Sequence, residues 1–174
     1  MKRFSTGGKV RAFWVSLVLA AALGAGSTNG SAITLAELRA DPNLTPARFM
    51  SYFSDFKFQL GSEVRKPDVF LSSQAGDCDD FASLAAQVLR EKGYTTKLVV
   101  VFMPDAVHVV CYVAETNSYL DYNCRALASP LVKCDSSLSA IATSVAASFH
   151  LPWRSVSEFT LHDNVPQFVM TEFH

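Results

Sequence analysis

Gly76-Asp77-Cys78-Asp79-Asp80-Phe81-Ala82 sets a cysteine between a tight turn and the first turn of a helix. The first N–H groups of a helix have no partner inside it, so partial positive charge collects there and favours an anion. A thiol in that place has its pKa drawn from ~8.5 toward roughly 3.5–7.5. Asp77 reads as the N-cap. Asp79 and Asp80 read as first-turn carboxylates that complement the same dipole, rather than as general acids or metal ligands. Phe81, Leu84, Ala85, Val88 and Leu89 recur at helical spacing as one apolar stripe, and Gly93 marks the C-terminal cap. Cys78 therefore opens a core-packed helix.

A nucleophilic thiolate needs a base, and a histidine stands thirty residues on. After Gly93 the β-branched run from Thr95 to Phe102 breaks at Pro104-Asp105 and resumes as Val107-His108-Val109-Val110-Cys111-Tyr112-Val113, which gives two strands. Glu115-Thr116-Asn117-Ser118 is a turn into a third strand, Tyr119-Leu120-Asp121-Tyr122-Asn123. Asp121 and Asn123 share one face of that strand, and an even loop makes it the face of His108. A carboxylate or amide there would orient the imidazole and fix its tautomer. Gln74 could add an amide to an oxyanion hole beside the Cys78 backbone N–H, or it is a solvated loop residue.

Helix-start Cys78, strand His108 and next-strand Asp121, in that order, resemble the transglutaminase-like branch of the papain-type cysteine hydrolases, and especially its small exported bacterial members. The Gly-Asp-Cys-Asp-Asp-Phe-Ala string, the His-Val-Val strand and the Leu-Asp-Tyr-Asn strand end carry the likeness over roughly residues 70 to 125. The resemblance implies an α+β fold in which the cysteine helix packs on an antiparallel sheet. It also implies chemistry through a thioester acyl-enzyme, with Cys78, His108 and Asp121 as the catalytic set. One departure is the spacing, since such proteins usually place the acidic residue about fifteen or more positions after the histidine and here the interval is thirteen. A turn centred on Thr116-Asn117 sets Asp121 opposite Tyr112, so reaching His108 needs a shifted turn or a bulge. Asn123 is the alternative orienter, because papain-type enzymes generally use an asparagine in that role.

The first 32 residues carry Lys2, Arg3, Lys9 and Arg11 ahead of an apolar run from Ala12 to Leu23, then Gly, Ser, Thr and Asn. This is the pattern of a secretory signal peptide, with cleavage expected after Ala32. The run is too short for an ordinary bilayer span of ~20 residues. Its removal leaves 11 basic against 16 acidic residues, a net charge of −5 on residues 33–174. No basic stripe marks a nucleic-acid partner, no glycine-rich loop marks a nucleotide, and the cysteines and histidines lack zinc-ligand spacing, so neither metal nor cofactor is expected. With Cys78 reserved as nucleophile, Cys124 and Cys134 bracket a short loop containing Pro130 and form the expected disulfide, while Cys111 lies on the strand face opposite His108 as a small hydrophobe.

Residues 33–174 are enough for one domain. Thr45-Pro46 reads as the cap and first position of a helix running to about Leu60, with Phe49, Met50, Phe53, Phe56 and Leu60 as its apolar face. Ser136 to Phe149 reads as a small-residue helix, and Val156–His162 with Gln167–Phe173 as a terminal hairpin that extends the sheet. The expectation is an exported cysteine-dependent hydrolase or acyltransferase acting on an amide bond of a peptide, protein or cell-wall substrate. The alternative is a non-catalytic module that holds peptide or cell wall on the same scaffold.

Overall fold

The computed structural model describes residues 32–174 apart from Asn164, so the expected leader lies, but for Ala32, outside the described residues. Thr34 closes a capping box with Glu37 to start α1 (Leu35–Ala40), and Thr45 caps α2 (Pro46–Ser51) with Pro46 at the first helical position. The helix expected to run to Leu60 ends at Ser51. Phe53 and Phe56 still reach the core through i→i+3 turns, the Phe53 N–H bonding Met50 O and the Phe56 N–H bonding Phe53 O, each at 3.0 Å. The chain then extends as β1 (Lys57–Phe58), and Leu60 is 77 % exposed. Tertiary pairing overrides the helical pattern here. Lys57 N–H donates to Gln74 O at 2.9 Å and Gln59 N–H to Gly76 O at 2.7 Å, drawing residues 57–59 into an extended segment.

α3 (Pro67–Ser73) ends at Gln74, whose backbone is left-handed at φ 49°, and β2 (Ala75–Gly76) pairs in parallel with β1. The expected nucleophile helix is α4 (Cys78–Glu91), closed by Gly93 at φ +88°, where a side chain would be strained. β3 (Thr96–Phe102) and β4 (Val107–Val113) follow as expected. β5 (Ser118–Leu120) stops sooner than expected, since Asp121 caps a 3₁₀ turn over Tyr122–Cys124. β6 (Leu131–Lys133) occupies the segment taken from sequence as a loop, and then come α5 (Leu138–Phe149), β7 (Ser155–His162) and β8 (Val165–Phe173). The last two strands form the expected hairpin and extend the sheet, with an irregularity in register at Glu158/Phe159.

The six-stranded antiparallel sheet runs β6-β5-β4-β3-β7-β8. Its central strands are buried on both faces, and the period of two sorts their side chains into two cores. Leu98, Val100, Val109, Cys111 and Val113 meet α4 on one side, while Val99, Val101, Val110 and Tyr112 meet α5 on the other. The α4 side is reinforced by aromatic rings. Phe53 contacts Phe49, Phe81 and Phe70 at centroid distances of 4.8, 5.1 and 5.8 Å, and Phe81 contacts Tyr122 at 5.5 Å. Pairs of this kind contribute about 0.5–1.5 kcal/mol each beyond area burial, and they pin the first turn of α4 through Phe81.

Candidate active site

The pairing of α4 with β4 brings Cys78 and His108 to the same end of the molecule. Arg90, near the end of α4, donates to Thr96 O at 3.1 Å, and Thr96 pairs with Val113, the last residue of β4. The other end of α4 therefore lies toward Val107 and His108. The lengths agree: 14 helical residues rise about 21 Å and 7 strand residues about 23 Å.

Four residues in the hairpin loop decide how Asp121 meets His108. Val113 pairs with Ser118 and Cys111 with Leu120, so the turn sits one position earlier than a turn centred on Thr116-Asn117. Asn117 makes this possible by taking a left-handed backbone, φ 43°, at the end of the 3₁₀ turn Ala114–Thr116, a conformation asparagine tolerates well. Continued by one step, this register sets Asp121 beside Val110, diagonal to His108 on the α5 face. The shift, not a bulge, makes the thirteen-residue spacing work. His108 Nε2 and Asp121 Oδ1 are 2.8 Å apart, with the two residues 3 % and 2 % exposed. A carboxylate only accepts, so Nε2 carries the proton and donates it.

Asn123 does not orient the imidazole. Its side chain is exposed in the 3₁₀ turn, and its contribution is its backbone N–H, which donates to the same Asp121 Oδ1 at 2.8 Å. The strand ends before Asn123 could stand opposite His108, which removes the geometry the alternative required.

With Nε2 engaged, Nδ1 is the nitrogen left for the thiol of Cys78, which is near enough to raise the proton affinity of His108. Burial disfavours the charged imidazole, but the hydrogen bonds to Asp121 and to Cys78, and then their charges, outweigh it and raise the His108 pKa to about 9. A thiol, an imidazole and a carboxylate in this order can pass the sulfur's proton to nitrogen and hold the resulting cation.

The first turn of α4 is locked by an acidic network. Asp80 Oδ2 accepts from Asp77 N–H at 3.1 Å and from Arg65 Nη1 at 2.9 Å, and its Oδ1 accepts from Arg65 N–H at 2.6 Å. Asp77 Oδ2 accepts from Gly61 N–H at 2.8 Å. These bonds stitch residues 61–65 to the start of α4. Burial pushes the Asp79 carboxyl up to about 7, helped by a hydrogen bond to Asp77, whose own pKa is lowered: burial alone would raise it, but that bond and the Gly61 N–H prevail. One oxygen each of Asp77, Asp79 and Asp80 fall within 4.8 Å of one another, the one such acidic group among the described residues. Asp80 is already paired with Arg65, and Asp77 with Asp79, which suits the reading of these residues as helix-start carboxylates. Gly76 is required for the close packing here, since a Cβ would sit 2.5 Å from Phe70 Cδ2 and 2.6 Å from Asp80 Oδ2.

Residues 40–123 match the transglutaminase-like superfamily, a span that runs from the end of α1 through the turn after β5 and contains Cys78, His108 and Asp121. Over this stretch the chain is similar to the transglutaminase-like superfamily. The likeness is to cysteine-dependent hydrolases and acyltransferases, and the α+β fold agrees with it, with a helix led by cysteine against an antiparallel sheet. No curated protein matches the chain. β6, α5, β7 and β8 lie beyond the matched transglutaminase-like span.

Two further placements complete the site. Gln74 is half-buried at the end of α3, four residues before Cys78. Cys111 is fully buried on the face opposite His108, and burial pushes its thiol up to about 12. The expected Cys124–Cys134 disulfide is absent, and all four cysteines are free. The reason is β6, which sequence reading missed. It runs antiparallel beside β5 and carries Cys134 to Asn117, where its N–H bonds Asn117 O at 3.1 Å, whereas Cys124 lies past the far end of β5. The three residues of β5 lie between the two ends and span about 10 Å, more than the Cα separation a disulfide bridges. Sequence reading also missed Arg65, whose only signal was a basic residue near three acidic ones, and Phe149, which marked only the end of the small-residue helix and whose ring lies 5.0 Å from that of His108.

Proposed function

We propose that this protein is an exported cysteine hydrolase that cleaves an amide bond of a peptide, protein or cell-wall substrate through a thioester. The observation that carries the proposal is the buried His108, bonded to Asp121 on one nitrogen and left with the other for Cys78 at a helix start. The Cys78 thiolate attacks the carbonyl carbon, and the oxyanion is held by the Cys78 backbone N–H with Gln74 as second donor. The C–N bond breaks as His108 gives its proton to the leaving amine. Water then attacks the thioester, His108 takes that water's proton, and the acid leaves as the Cys78 sulfur is released. Asp121 keeps Nδ1 facing the sulfur throughout and stabilises the imidazolium.

Hydrolysis is preferred to transamidation because water is always present as acceptor. Export rests on the signal-type leader. Among the described residues no helix is long and apolar enough to cross a membrane.

Alkylation by iodoacetamide tests the couple. Cys78 should react well below pH 8, and His108→Ala should slow this at pH 6. A wild-type rate that follows an ordinary thiol titrating near ~8.5, indifferent to His108, would leave the binding-module alternative standing.

A further inference from the structure

His108, Val110 and Tyr112 project from β4 toward α5, and Asp121 lies on the same face. α5 ends there. Its last residue, Phe149, is followed by His150 in a left-handed cap at φ 56°, which turns the chain away so that the Phe149 ring stays at the helix end. That ring lies against the imidazole, with centroids 5.0 Å apart and planes inclined at 57°. Phe149 is itself only partly buried, packed on the α5 core, so it stands between solvent and a histidine that is 3 % exposed. The groups that face His108 are then Asp121 from the end of β5, Cys78 from α4, apolar Val101 across the β3–β4 pair, and Phe149 from α5, a helix with no charged residue along its length.

Resting on the hydrolase reading above, we infer that Phe149 is a positioning residue: its ring seals the His108–Asp121 pair from water, making α5 part of the active site although it lies outside the transglutaminase-like span. The physical argument is one of dielectric. The hydrogen bond and charge of Asp121 act strongly on the imidazole because no water screens them. Opening the seal weakens both the burial penalty on the imidazolium and the attractions that outweigh it. Since the attractions are the larger, the net result is a fall in proton affinity. A ring is suited to this place because its negative face tolerates a neighbouring cation.

The test reads His108 directly, so it needs no substrate. The imidazole is titrated by NMR in the wild-type chain and in Phe149→Ala, Phe149→Leu and Phe149→Tyr. The expected result is a midpoint that falls from about 9 toward 6.5 in the alanine and leucine variants and returns in the tyrosine variant. Iodoacetamide alkylation of Cys78 should lose its alkaline limb over the same pH range. Leucine nearly conserves volume, so it decides the matter if alanine does not fold. A leucine variant that melts below wild type while its His108 midpoint stays put would overturn the proposal, leaving Phe149 as core filling only. Failure of the hydrolase reading looks different: Cys78 would then be unreactive in wild type, whatever the His108 midpoint does on removal of the ring.

Discussion

Replacing Asp121 by asparagine removes a charge while leaving a side chain able to accept from His108 Nε2, so it isolates the electrostatic part of the pair. His108 rises from 6.5 to about 9 in the folded protein. At about 1.4 kcal/mol per pKa unit, this is about 3 kcal/mol of preference for the imidazolium, an upper figure already net of burial. Asp121 precedes Cys78 as a cause, both by hydrogen bond and by charge, so the larger part should vanish in Asp121→Asn. The sign follows from proton binding. Between pH 6.5 and 9 the folded chain holds a proton that the unfolded chain has released, so His108 stabilises the fold fully below pH 6.5 and loses that contribution as pH rises through 9. Urea denaturation at half-unit steps from pH 6 to 9.5 should show the wild-type stability falling by up to about 3 kcal/mol and Asp121→Asn much flatter. Asn123→Ala should keep the wild-type slope, since only its backbone N–H touches Asp121. A slope in Asp121→Asn equal to that of wild type would refute the reasoning, because the proton would then be held by something other than this pair.

Gly76→Ala should destabilise by about 1–3 kcal/mol and slow Cys78 alkylation, because its Cβ drives into the fully buried Phe70 ring and into Asp80; a variant within about 0.5 kcal/mol of wild type by denaturation would contradict that packing. Asp79→Asn should match wild type near pH 4 and exceed it at pH 8 by about 1–2 kcal/mol, discounted for the exposure of Asp79, because a carboxyl raised from 3.8 to about 7 loses stabilisation as pH climbs between those values. Denaturation curves of the two proteins that stay parallel across this range would count against the raised value. Thiol trapping followed by non-reducing peptide mapping should recover Cys124 and Cys134 both alkylated, and reductant should not change the melting temperature. A linked Cys124–Cys134 peptide would mean that β6 does not run beside β5.

The sequence by itself determined the elements whose pattern is local. Asp77, Cys78 and the Phe81 to Leu89 stripe specify a capped helix, and Val107 to Val113 specify a strand, because caps and periodicity act within a few residues. Those two elements, and their order, also carried the family. The tertiary structure decided what distant groups do to one another. Lys57 and Gln59 leave a helical pattern because Gln74 and Gly76 offer backbone partners. β6 exists because β5 offers an open edge, and its direction separates Cys124 from Cys134. Asp121 prevails over Asn123 because Asn117 accepts a left-handed backbone and moves the register by one position. The Phe149 ring reaches His108 only because α5 packs across the face from which the imidazole projects, a relation of 41 residues in sequence and 5.0 Å in space that no local spacing encodes.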